Sequence, residues 1–170
     1  MITAEVKPLP VSTKKEDQDL LYRELELQMQ RLGHLVPFRE ELNWENEIGT
    51  VEIGSETIIT KLKRAAAKSD GVLLLYAKLT KGTVYQHIIM HPNVEGFYLP
   101  FRFEEPFFIT VKNKKIWIGS SIRLAEELNW LEITMRNHDQ QEVVECWSAL
   151  KALCELSTEH NSPIILKKLG

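Results

Sequence analysis

Apolar positions along this chain recur with two different periods. Between Thr13 and Gly33, the residues Leu21, Leu25, Met29 and Leu32 fall at i, i+4, i+8 and i+11, which draws one stripe of an amphipathic helix. Thr13 with Glu16 three residues later is a capping-box pattern. Asp17 and Asp19 put negative charge at the positive end of the helix dipole, and Gly33 is placed for a C-terminal stop. Residues 34–46 show no clean period and read as a loop, with a short strand around Glu47 to Ile53. Gly54-Ser55-Glu56 then caps a second helix with Ile58, Ile59, Leu62, Ala65 and Ala66 on one side, closed by Ser69-Asp70-Gly71.

From Gly71 the pattern changes to strands. Val72 to Tyr76 is a continuous apolar run of the kind found in a central strand, and Lys81-Gly82 reads as a turn. Thr83 to Met90, rich in β-branched and aromatic residues, is expected to form a hairpin with it. Phe97 to Phe103 and Phe107 to Lys112 continue the sheet, and a tight turn at Asn113-Lys114 pairs the latter with Lys115 to Ile118. A third helix carries Leu124, Leu128, Leu131 and Met135. A fourth, opened by Asp139 and Glu142, carries Val143, Trp147, Leu150 and Cys154. Residues 163–166 return as a strand. This order of elements predicts an α+β fold: a largely antiparallel sheet of about five to six strands, with about four helices packed mainly on one face. Residues 1–12, with Pro8 and Pro10, are expected to be an extended or mobile lead-in, and residues 13–170 a single globular domain.

Composition narrows the function classes. With 44% hydrophobic and 26% charged residues the chain is neither disordered nor of low complexity. Its 21 basic and 24 acidic residues give a net charge of −3, split evenly between the two halves. Without a concentrated basic footprint, binding of nucleic acid is not expected. The longest apolar run, Val72 to Ala77, is six residues, far short of a membrane span, and the first residues lack the pattern of a secretory signal. Cys146 and Cys154 fall on one helix about 12 Å apart, too far for a disulfide. They are expected as reduced, buried thiols of a cytoplasmic protein.

Candidate chemistry is sparse. His87 and His91 have an H-x-x-x-H spacing that chelates a metal on a helix, but on a strand separates the imidazoles by about 13 Å. Ile88 stands where a zincin helix carries its glutamate, so no metal and no cofactor is expected. Glu95, close to both histidines in sequence, is the one acid–base constellation. Gly119, Ser120, Ser121 and Arg123 form a strand-to-helix turn able to hold an anion on free backbone N–H groups, although Ser120 serves equally as an ordinary cap. Five of the six phenylalanines fall within residues 97–108, where alternation places Tyr98 and Arg102 on the face opposite Phe97, Leu99, Phe101 and Phe103. Trp130 sits at the edge of the third helix's apolar stripe.

These observations predict a small non-enzymatic binding protein. Its expected contact surface is the aromatic strand region at Tyr98 and Arg102, with Trp130, and its expected partner is another protein or a second copy of itself, with neither nucleic acid nor membrane. The alternative is a binder of, or enzyme on, a small anionic ligand at Gly119 to Arg123, with His87, His91 and Glu95 nearby.

Overall fold

The computed structural model describes residues 1–9, 15–33 and 48–170. Among the described residues, seven helices surround one six-stranded sheet. In chain order the elements are β1 (Ile2–Val6), α1 (Lys15–Arg31), β2 (Gly49–Gly54), α2 (Glu56–Ser69), α3 (Leu74–Thr80), α4 (Gln86–Ile89) and β3 (Phe97–Leu99). They continue with β4 (Phe107–Val111), β5 (Lys114–Ser120), α5 (Ser121–Trp130), α6 (Glu132–Arg136), α7 (Gln141–His160) and β6 (Ile164–Lys168). The fold is α+β, as the pattern predicts.

The strand order is β2-β1-β6-β3-β5-β4. All neighbours are antiparallel except β3 and β5, which run parallel with Phe97 opposite Ile118 and Leu99 opposite Ser120. The first residues are extended, but as a strand inside the sheet: β1 pairs with β2 on one side and β6 on the other. The loop expected at 34–46, the cap at Thr13 and the residues 10–12 lie outside the described residues.

Helices cover both faces of the sheet. On one face α2, α5 and α7 bury Ile59, Leu62, Leu124, Leu128, Val143, Leu150 and Cys154 against Ile2, Ala4, Val6, Ile53, Ile164 and Leu166. On the other, Leu21, Leu25 and Met29 of α1 pack on Leu99, Ile109 and Ile118 of the β3-β5-β4 half. Strand alternation makes this possible, because Tyr98 and Trp117 point to the first core while Phe97, Leu99 and Ile118 point to the second.

Two expected strands are helices. The run at Val72 to Tyr76 becomes α3, of which only Ala77 is buried, while Leu73, Leu75 and Leu79 are exposed, Leu79 by 76%. Leucine, alanine and lysine are strong helix formers, and a short apolar run does not by itself separate helix from strand. The segment expected as the strand Thr83 to Met90 forms α4, a single turn whose first N–H groups need an acceptor. Glu127 of α5 supplies it: both carboxylate oxygens accept the His87 N–H, at 2.9 and 3.1 Å. The third expected helix is divided at Leu131 into α5 and α6. The β4–β5 turn lies one residue earlier than expected, at Lys112 and Asn113, whose φ of 48° and 63° match the hairpin turn with two left-handed residues.

Candidate functional site

His87 is the centre of a buried polar cluster. Its Nδ1 accepts the Ser120 N–H at 3.0 Å, so the ring proton resides on Nε2, which donates to the Glu104 carbonyl at 3.1 Å. Its own carbonyl accepts the Tyr98 hydroxyl at 2.7 Å. Burial pushes the His87 imidazole down to about 4 and holds the Glu127 carboxyl well above the usual carboxylate range, the latter against the pull of the His87 N–H. Through its ring and its main-chain carbonyl, one residue thereby ties α4, β3, the start of α5 and the segment at Glu104 together. His91 is buried too: its Nδ1 accepts the Asn93 N–H at 2.9 Å and its ring stacks on Tyr98. Both His87 ring nitrogens are engaged by protein, and no group of three or more potential metal ligands occurs among the described residues. Glu95 is exposed and pairs with Lys114 at 3.2 Å, away from this cluster's hydrogen bonds.

The turn at Gly119 to Arg123 is tied to the surrounding protein. Ser120 Oγ accepts the Arg123 N–H at 3.1 Å and donates to the Phe101 carbonyl, Ser120 N–H is taken by His87, and Ser121 Oγ donates to the Leu99 carbonyl. A Cβ on Gly119 would meet the Trp117 ring at 2.5 Å, so indole fills the space in front of that backbone. The Arg123 guanidinium pairs with Glu126 at 2.9 Å and lies 4.6 Å from the centre of the Trp130 ring.

Tyr98 faces the core with 3% exposure, sealed between His91 and Trp117. Arg102 is exposed, but Glu104 and Glu126 both hold it. Trp130 is 47% exposed, with Arg123 over its face and Tyr85 at its edge. Together Arg102, Arg123, Glu104 and Glu126 form a charge-balanced group that satisfies itself.

Unbalanced charge lies elsewhere. In α7 the buried stripe Val143, Cys146, Leu150, Leu153, Cys154 and Ser157 leaves Glu142, Glu145, Glu155 and Glu159 exposed, the last two opposite the stripe and the first two toward its flank. They span residues 142–159, about 25 Å of helix axis, with about 4.5 and 6 Å of rise inside the two pairs. The helix's one basic residue, Lys151, sits over the Trp147 ring at 4.6 Å. Residues 16–56 hold eleven acids against three bases, of which Glu16, Asp19, Glu52 and Glu56 are described as exposed. Residues 57–91 reverse the sign, with six bases against one acid. Comparing the two halves of the chain hides this segregation; counting charge per element exposes it.

Fold and surface define a small α+β domain that concentrates carboxylates on one long helix and groups its remaining charge by segment. The chain belongs to the family described as "Putative DNA-mimic protein", whose model matches residues 3–166. No curated protein and no solved structure matches it. The family assignment overturns both functional expectations, the aromatic-strand interaction module at Tyr98, Arg102 and Trp130 and the anionic-ligand protein at Gly119 to Arg123. It overturns with them the aromatic surface as the place where another protein or a second copy would bind, while a protein partner as such agrees with the family's description. No helix among the described residues is long and apolar enough to cross a membrane.

Proposed function

We propose that this protein acts as a DNA mimic, presenting carboxylates where a DNA-binding protein receives phosphates and so occupying that protein's nucleic-acid site. The observation that carries this reading is the family assignment over residues 3–166. The glutamates of α7 support it. DNA-binding surfaces are built from lysine and arginine placed to neutralise a row of negative charges, and most of their sequence-independent affinity comes from that term. A helix with four exposed carboxylates offers them two pairs of the same sign on one rigid axis, on a scaffold that needs none of the four for its core. Long-range attraction between these carboxylates and the partner's basic groove raises the encounter rate.

Competition on labelled duplex DNA tests the reading. A panel of purified DNA-binding proteins covering helix-turn-helix, OB-fold and minor-groove binders is loaded on the duplex, and this protein is titrated in. The expected result is release of DNA from at least one class, lost in the variant carrying Glu142→Gln, Glu145→Gln, Glu155→Gln and Glu159→Gln with its thermal midpoint retained. Release reproduced by polyglutamate of equal charge, or no release from any class, overturns it.

A further inference from the structure

Beyond its first residue the helix α2 carries charge of one sign only. After Glu56 it holds Lys61, Lys63, Arg64 and Lys68 and no acid. Lys63 is buried, whereas Lys61, Arg64 and Lys68 lie at i, i+3 and i+7 and share one face over about 10 Å of axis. Opposite them stand the end of α6 and the turn before α7, and Lys61, Arg64, Ala65, Lys68 and Ser69 with Thr134, Asn137, His138, Asp139 and Gln140 enclose a groove of about 690 Å³.

Several cations elsewhere on the surface have carboxylate partners: Arg123 has Glu126, Arg136 has Glu132, Lys114 has Glu95, and Lys167 and Lys168 have Glu5 and Glu56. Among the described residues no carboxylate pairs with Lys61, Arg64 or Lys68, although like charges three and four apart on a helix repel. The far wall offers polar groups. His138 Nδ1 lies 3.1 Å from the Gln140 N–H and 3.3 Å from the Gln140 carbonyl, and Asn137 uses its amide N–H₂ on the Ile133 carbonyl at 3.0 Å, leaving its amide oxygen. The one carboxylate of the lining, Asp139, is 91% exposed. A groove of this volume accommodates a molecule of nucleotide size.

We propose that this groove binds a small polyphosphorylated ligand of the size and charge of a nucleoside di- or triphosphate. Its phosphates lie along Lys61, Arg64 and Lys68, and its remainder lies against Thr134, Asn137 and Gln140. None of the four α7 glutamates lines the groove, so the site stands independently of DNA mimicry.

Calorimetric titration of the full chain with ATP, inorganic triphosphate, adenosine, a single-stranded 12-mer and a glutamate-rich peptide tests this. Saturable binding is expected for ATP and triphosphate and none for adenosine. Affinity should fall at least about tenfold in the Lys61→Gln, Arg64→Gln, Lys68→Gln variant and stay unchanged in Lys151→Gln. The single variants replace the triple one if it loses its cooperative melt. Absence of ATP binding, undiminished binding in the groove variants, or tighter binding of the oligonucleotide or the peptide than of ATP overturns the proposal.

Discussion

A lysine in the interior is the most consequential single residue of the scaffold. Lys63 is 2% exposed, and its ammonium donates to the His91 carbonyl and the Asn93 side chain with no carboxylate beside it. It thereby pins the turn before β3, where Asn93, Glu95 and Gly96 all take positive φ, at 73°, 63° and 90°. Burial, helped by the charge of Lys78, pushes Lys63 down to about 7 from an ordinary 10.5. Between those values the unfolded chain binds a proton that the folded chain has released. Lys63 therefore makes stability climb with pH across that window, by at most about 1.4 kcal/mol per pH unit. Lys63→Met keeps the stem and removes the titration, so urea unfolding from about pH 7 to 10 should show the wild type gaining on the variant as pH rises; a constant difference contradicts the account. The sequence held the signal for this residue, since position 63 falls on the buried stripe of Ile59, Leu62 and Ala66. Nothing comparable announced Glu127, because its role as a cap for α4 exists only once the two helices meet.

Elements with complete local signals were legible. α1, α2 and α7, the hairpin of β4 and β5 and the return strand β6 all follow from apolar period and turn chemistry, although α7 opens at Gln140 with no side-chain cap rather than at the box expected of Asp139 and Glu142. α3 and α4 did not, since their ends are set by Gly71 and Lys81 in left-handed conformations and by a carboxylate from a distant helix. The second covered face was also hidden, because an amphipathic stripe shows that a helix packs and not on which side of the sheet. Leu25 of α1 is fully buried against that face, while Leu75 of α3 is exposed. Leu25→Ala should cost about 2 to 5 kcal/mol in urea unfolding, whereas Leu75→Ala should stay within about 0.5 kcal/mol. Equal costs would mean that α1 is not docked there.

At the scale of the whole molecule the function was not legible, and the reason lies in averaging. A net charge of −3 describes a protein that is strongly acidic in one segment and basic in the next. Recognition responds to the local field, which decays over about 8 Å at physiological ionic strength, rather than to the total. Association with a DNA-binding partner should therefore weaken by about one to two orders of magnitude between about 50 and 200 mM salt, and the four-glutamine variant of α7 should flatten that dependence. A salt-independent affinity would assign binding to apolar contacts. The aromatic cluster that looked like a contact surface is instead the packing that holds β3, β5 and α4 together around His87.

The place of β6 in the sheet has a consequence for how the chain reaches this state. β6 joins the β2-β1 pair to the β3-β5-β4 trio, and among the described residues no other strand touches both. Residues 164–168 leave the ribosome after every other strand has been made. Until then the two half-sheets expose the unpaired edges of β1 and β3, the kind of edge on which chains associate wrongly. Completion waits on contacts more than 160 residues apart in sequence, such as Ile2 with Lys168, which places this small domain among the slow, non-local folders.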